Sequence, residues 1–437
     1  MYFIYTCLSV PGHVFLALLF LLLPDRRRKY LPSIRQRCGF NLPTPTPPDR
    51  FCIWVHTVSM GEFLAARPLI QSLCRRYPQA RIVISTITLT GNALARKHFP
   101  SLEVFFFPID WAGIIRRFLL RLKPGLFVCV ETEIWPNFFR LAHRAGCRLV
   151  LVNGRISPKS FRNYRRIRFF FRRIAAHVDL FLMQSPDNAQ RIGQLGVAPE
   201  KIITTGNLKY DLSLETDAAL QRTLEAIRSN LGLSEEVFTL VCGSSMPGEE
   251  PLITDLFSFL RHSGIPCRLI LAPRHPERFD EVAGHLQALP FPFLRRSRLT
   301  SGESSRTADI LLLDSIGELA HVYRLADLVF IGGSLANYGG HNILEPAFLG
   351  KAVVFGPHMR NFQDIANTFL AAKGAVQVRN SEELKQTVLR LAGDSAGRKA
   401  LGERAAAIMR ENGGALQRTL QHIDRLAGGR SPRGTNP

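Results

Sequence analysis

From Phe51 onward, short runs that are apolar throughout alternate with longer stretches in which apolar positions recur every three or four residues. The runs Phe51–Val55, Arg81–Thr86, Glu103–Phe107, Leu126–Val130, Arg148–Val152 and Leu180–Met183 predict strands buried on both faces. The stretches Glu62–Arg76, Trp111–Leu122, Trp135–His143 and Asp187–Leu195 predict helices between them. Strands and helices in alternation build βαβ units, and hence a parallel sheet. The pattern lapses across the polar, helix-prone stretch Tyr210–Gly232 and then resumes. Val237–Cys242, Cys267–Ala272, Ile310–Leu313, Leu328–Ile331 and Ala352–Phe355 predict a second set of strands. Two α/β domains of similar size are expected, over residues 49–215 and 216–426, with strand ends from both facing a cleft. A Gly-, Arg- and Pro-containing stretch at 427–437 reads as a disordered tail.

The first thirty residues break this pattern. Tyr2 to Leu23 is almost uncharged, and Val14–Leu23 is uninterrupted apolar sequence followed by Arg26-Arg27-Arg28-Lys29. About 20 apolar residues span a bilayer, and basic residues stay on the cytoplasmic side. Residues 1–30 are therefore expected to anchor the chain to a membrane, either spanning it or lying in the inner leaflet, with the body on the cytoplasmic face. Residues 31–48, ending in Leu-Pro-Thr-Pro-Thr-Pro-Pro, are expected to form a linker. The eight cysteines form no CxxC pair, and several fall inside predicted elements, which suits reduced core thiols.

Charge narrows the partners. A formal net charge of +21 over 437 residues calls for an anionic partner: nucleic acid, acidic lipid or a phosphorylated substrate. A nucleic-acid binder would account for the charge and not for the anchor. Phe161–Arg173 (FRNYRRIRFFFRR) interleaves basic and aromatic residues as segments that lie on anionic membranes do, although a half-buried helix with solvated arginines would read the same.

Candidate chemistry sits where predicted strands end, the edge at which open α/β sheets bind ligands. Leu126–Val130 runs directly into Glu131-Thr132-Glu133-Ile134-Trp135-Pro136-Asn137. One acid there would suit a helix start; two flanking a Thr point to function. Phe51–Val55 leads to His56-Thr57-Val58-Ser59-Met60-Gly61-Glu62, where Glu62 is placed either as a general base or as the partner of Ser59 in a capping box. The hydroxyl-rich Ser85–Gly91 loop can meet a phosphate through backbone amides or simply cap a helix. Lys209, within Gly206-Asn207-Leu208-Lys209-Tyr210-Asp211, can neutralise charge on a leaving group or an acidic sugar.

In the second domain, Arg274 and His275 follow a strand and could clamp a phosphate. Asp314-Ser315-Ile316-Gly317-Glu318-Leu319 places a Gly at a helix start, with Asp314 or Ser315 as its cap. Gly332-Gly333 follows another strand, and Gly339-Gly340-His341-Asn342-Ile343-Leu344-Glu345-Pro346 opens a further helix whose amides suit a nucleotide phosphate, with Glu345 within reach of ribose hydroxyls. No HExxH, Cys/His cluster, GxGxxG or Walker loop is present, so no metal and no cofactor is expected.

With these residues laid out, the chain resembles the bacterial 3-deoxy-D-manno-octulosonic acid (Kdo) transferases of lipopolysaccharide synthesis. HTVSMGE, ITLTG, ETEIWPN, NGRIS, GNLKYD, APRHPERF, SIGEL, GGHNILEP and GPHMRNF occur in family order, with NGRIS and HTVSMGE standing where NARLS and HAVSVGE are usual. The resemblance implies a GT-B architecture, with two Rossmann-like parallel-sheet domains. It implies inverting, metal-independent transfer of Kdo from CMP-Kdo to a phosphorylated lipid A precursor at the cytoplasmic leaflet of the cell inner membrane. By motif it implies Glu62 as general base, and Glu131 and Lys209 as groups that stabilise an oxocarbenium-like transition state. Pro273, Arg274, Ile316, Gly317, Glu318, Asn342, Ile343, Leu344 and Glu345 match CMP-binding positions. The alternatives are another membrane-bound GT-B transferase that uses a UDP-sugar and a lipid acceptor, and a non-catalytic binder of anionic glycolipid that keeps the fold.

Overall fold

A computed structural model describes residues 5, 31, 33–214, 217–299 and 308–428. The expected anchor and the expected tail fall almost entirely outside the described residues. Among the described residues, no helix is long and apolar enough to cross a membrane.

The chain forms two compact units, Met1–Asp211 with Gly413–Pro437, and Leu212–Asn412. The first contains seven parallel strands: β1 (Cys52–Thr57), β2 (Arg81–Thr86), β3 (Glu103–Phe106), β4 (Leu126–Val130), β5 (Arg148–Gly154), β6 (Leu180–Met183) and β7 (Ile202–Thr204), in the order β3-β2-β1-β4-β5-β6-β7. The order reverses between β1 and β4, the switch point at which such sheets open a crevice. Glu62 follows β1 and Glu131 follows β4, so the two acids flank that point.

Alternation along β1 divides the core of this unit. Cys52 and Trp54 face one layer with Phe105, Phe118, Phe127 and Phe138, whereas Ile53 and Val55 face the other with Phe63, Leu69 and Leu73. Trp54 is fully buried, its ring centroid 5.0 Å from that of Phe138 and 5.3 Å from that of Phe105. Its indole N–H donates to Ser85 Oγ at 2.7 Å, so no buried donor is left over.

The second unit repeats the plan with β8 (Phe238–Ser245), β9 (Cys267–Pro273), β10 (Phe293–Arg295), β11 (Ile310–Leu312), β12 (Leu328–Ile331), β13 (Ala352–Phe355) and β14 (Val376–Gln377), all parallel, in the order β10-β11-β9-β8-β12-β13-β14. Gly332, after β12, admits no side chain, because a Cβ there would lie 2.3 Å from the carbonyl oxygen of Ser244 near the end of β8.

The sequence reading placed everything to residue 426 in the second domain, and the C-terminal boundary needs correction. Helix Ala415–Ala427 belongs to the first unit, where Ala415, Leu420 and Ile423 join the core layer of Val55 and Leu208. Asp211 fixes its start, accepting from Gly414 N–H and Leu416 N–H, each at 2.6 Å. The seven described cysteines are unbridged.

Candidate active site

In the first unit, the ETEIWPN segment divides its labour residue by residue. Trp135 packs its ring 5.1 Å from Phe107 and 6.2 Å from His56. Pro136 starts the helix Pro136–Arg144 at the position where a missing N–H costs nothing. Buried Asp110 completes that start by accepting from Asn137 N–H at 3.0 Å and Phe138 N–H at 2.8 Å. With the apolar half anchored, the acidic half is held at the strand tip. Glu131 adopts φ +60°, and Asn153, at the end of β5, adopts +56°. Left-handed backbone costs roughly 1 kcal/mol for such residues and gathers at functional sites. The strain is held by Glu131 N–H donating to Val152 O at 2.8 Å, and by Thr132, whose hydroxyl bonds Arg155 O while accepting from Arg155 N–H.

Glu62 takes up the capping role weighed for it. Ser59 caps helix Met60–Arg76, and Glu62 Oε2 reaches back to accept from Val58 N–H at 2.6 Å. Glu62 nonetheless remains partly exposed. Burial pushes it up to about 7, the nearby charges of Glu131 and Glu133 push the same way, and the Val58 N–H opposes them. Glu133 is likewise raised to about 7, by burial and then by Glu131. Sequence reasoning noted Glu133 only as part of a motif; the structure makes it a third member of the carboxyl cluster. Lys209 supplies the opposing charge, its Nζ 3.9 Å from Glu131 Oε1, with both side chains about one-quarter exposed. The alternation of buried Leu208, outward Lys209 and buried Tyr210 in a single 3₁₀ turn aims the ammonium at the acids. Asn153 Oδ1 accepts from Leu208 N–H at 3.0 Å and ties that turn to the tip of β5.

Other readings resolve toward structure. Thr88 accepts from Gly91 N–H at 3.1 Å, so the Ser85–Gly91 loop is an ordinary helix cap. His56 is wholly buried and held down to about 3, first by burial, with its Nδ1 2.9 Å from Ser85 Oγ. It is a neutral core residue.

In the second unit, Arg274 and His275 stand exposed after β9 because the rest of their loop is pinned. Arg278 donates to buried Glu250 through two N–H groups at 2.7 and 3.1 Å. His341 lies within electrostatic reach of both: it is lowered to about 4, chiefly by burial and then by the charges of Arg274 and His275. The structure thus draws the APRH and GGHN motifs together. Glu318 pairs with Arg296 at 2.8 Å, while Ile316 is 73% exposed and Gly317 takes φ +95°. The expected caps are not used: Asp314 is held by Arg295 at 2.6 Å and by Ser297 at 2.7 Å, and Ser315 bonds Glu318. Ile343 and Leu344 are buried, so only their backbone faces outward chemistry, and Leu344 N–H is already given to Asn342 Oδ1 at 3.1 Å. Asn342 and Glu345 hold each other at 3.1 Å as the polar pair of that loop.

Sequence reasoning missed Glu249 entirely. It is fully buried and accepts from Met246 N–H at 3.0 Å, Gly333 N–H at 2.6 Å, Leu335 N–H at 3.1 Å and Ala336 N–H at 3.2 Å. One carboxylate therefore shapes the whole loop after β12. Glu249→Ala is expected to cost about 3–5 kcal/mol of stability by leaving those donors buried and unpaired; urea unfolding of the full-length protein measures it.

Each unit is a doubly wound parallel sheet, with acids at the switch point of the first and a basic, glycine-containing loop set in the second. Solved structures share the fold. A UDP-GlcNAc 2-epimerase from Neisseria meningitidis aligns with a TM-score of 0.57 at 10% identity, covering 86% of this chain and 100% of that one. A glycosyltransferase from Rickettsia africae aligns at 0.53 and 12%, covering 86% and 99%. Residues 32–212 match the family described as 3-deoxy-D-manno-octulosonic-acid transferase (kdotransferase). The transferase of that name from Haemophilus influenzae is 32% identical over 420 residues, 96% of this chain and 97% of that protein, and the one from Bordetella pertussis is 33% identical over 404, covering 90% and 91%. The chain belongs to the 3-deoxy-D-manno-octulosonic acid transferase family.

Proposed function

We propose that this Kdo transferase moves Kdo from CMP-Kdo, with inversion and without a metal, to a hydroxyl of a phosphorylated lipid A precursor at the cytoplasmic leaflet of the inner membrane. The observation that carries the mechanism is the partly exposed Glu62, its carboxyl raised to about 7 near Glu131 and Glu133, with Lys209 paired to Glu131. A base of that strength can accept a hydroxyl proton near neutral pH. As the acceptor oxygen bonds the anomeric carbon, Glu62 takes its proton, and the bond from that carbon to the CMP phosphate oxygen breaks. Positive charge developing on the sugar is met by Glu131, and the donor's own carboxylate suits Lys209. In the second unit, Arg274 and the backbone of Gly317 and its neighbours suit the departing CMP, with Asn342 and Glu345 on the ribose side.

Incubation of the full-length protein with CMP-Kdo and a tetraacylated lipid A precursor, followed by mass spectrometry, tests this reading. A gain of Kdo on the lipid is expected; no gain beside an active control enzyme contradicts it. For the donor side, Arg274→Ala is expected to weaken CMP binding about 10- to 100-fold, the worth of a charged hydrogen bond, without affecting the fold. Titration calorimetry with CMP reads that change directly.

A further inference from the structure

Residues 158–175 form two helices, Pro158–Arg166 and Arg168–Ala175, that meet at Ile167. They carry Lys159 and six arginines, and no acid. A solvated face would account for that composition. It does not account for the apolar residues standing out of it: Ile167 is 50% exposed and Phe169 is 69% exposed. Their neighbours behave differently, since Phe171 enters the core and Phe170 packs against it. Beside this face lies a cavity of about 390 Å³ between helix Arg168–Ala175 and the loop Gly196–Lys201. Arg168, Arg172 and Lys201 line it, and among the described residues no carboxylate does. The spacing of Arg168 and Arg172, four apart, puts both on one side of the helix. Lys201 is fixed in place by donating to Ala176 O at 3.0 Å and Val178 O at 2.8 Å.

Three cations around an uncompensated cavity select an anion, and Arg favours phosphate oxygens. Exposed Ile167 and Phe169, the residues on either side of Arg168 in the chain, select hydrocarbon. An anionic phospholipid surface offers both at one spacing, whereas a soluble phosphate uses only the cations. The start of the chain points to the same place: Tyr5, the one described residue of the first thirty, lies with its ring tilted against that of Phe170, centroids 6.0 Å apart, and its phenol bonds Asp110.

We propose that helix Arg168–Ala175 docks on an anionic phospholipid surface, with Arg168, Arg172 and Lys201 taking a lipid phosphate and Phe169 and Ile167 entering the acyl region. This is a second lipid contact besides the anchor expected at the N-terminus, and it is independent of which sugar is transferred.

Full-length protein carrying Phe169→Trp, bound to phosphatidylglycerol vesicles with brominated acyl chains, reads the insertion locally even if the anchor holds the protein to any membrane. Its added emission, taken as the difference from wild type with its three native tryptophans on the same vesicles, is expected to be quenched at least about twofold. Emission indistinguishable from that on unbrominated vesicles overturns the proposal. Each Arg near an anionic surface gives a roughly fivefold gain. Arg168→Glu with Arg172→Glu is therefore expected to lower the preference for phosphatidylglycerol-containing over pure phosphatidylcholine vesicles by about thirtyfold or more. The exposed pair Arg390→Glu with Lys399→Glu, a matched charge change in the second unit, is expected to keep that preference within about threefold. An equal loss in both double variants, or no loss in the first, contradicts the site.

Discussion

Replacing Glu62 by Gln is expected to lower kcat for Kdo transfer about 10³-fold and to leave KM within about threefold. The argument rests on what Gln keeps. Its carbonyl oxygen can still accept from Val58 N–H, the contact Glu62 makes at 2.6 Å, so the start of helix Met60–Arg76 survives. What Gln loses is the capacity to take a proton. General-base catalysis is worth roughly 10²–10⁴-fold, which brackets the expected loss. Were Glu62 only a capping residue, the variant would lose stability and keep its kcat, so a thermal melt alongside the rate separates the two roles.

Replacing Glu131 by Gln is expected to do two things at once. The rate falls about 10²-fold, because a charge set against the developing cation is removed. The acid limb of the pH–rate profile also moves down. Glu131 is one of the groups that raise Glu62, after burial, and the chief charge that raises Glu133. Without its negative charge Glu62 ionises more easily, so its pKa falls below about 7 and the base stays competent in more acidic solution. Gln at φ +60° is as strained as Glu, so backbone strain is conserved between wild type and variant. Single-turnover rates across pH separate the loss of rate from the shift of the limb. A rate loss with the limb unmoved would mean that Glu131 does not sense Glu62.

The strands of both sheets were legible where they were buried on both faces. Leu126–Val130 and Leu328–Ile331 appear as expected because a central parallel strand has no polar side to interrupt its apolar run. Strands β7, β10 and β14 were not legible. Each has only two or three residues, none buried, and such edge strands leave no run to read. Helix Ala415–Ala427 was legible as an amphipathic helix and not in its partner, since a hydrophobic stripe does not say which core it will cover. Its assignment depends on Asp211, about two hundred residues earlier, binding its first amides.

The acids at the switch point were legible as candidates because two carboxylates at a strand end have little structural reason to be there. Glu133's place in the cluster was not, because the raised carboxyl follows from burial and from Glu131, and neither is a property of spacing. Glu249 was hidden for the same reason, as was the nearness of His341 to Arg274 and His275. A buried acid looks like an exposed one until its four backbone donors, from segments up to 87 residues apart, are brought to it. In the opposite direction, Asp314 looked like a helix cap and is instead claimed by Arg295, 19 residues earlier in the chain and brought beside it by the pairing of β10 with β11.

The measurement that bears most directly on Glu62 as a tuned general base is kcat as a function of pH, from about pH 5 to about pH 9, for wild type and Glu62→Gln on the same lipid acceptor. Wild type is predicted to lose roughly tenfold in rate per pH unit below about 7, the range to which burial and its acidic neighbours raise Glu62, and the variant is predicted to be slow at every pH with that limb gone. A variant that keeps the same limb near pH 7 would assign the titrating base to another group and contradict the account.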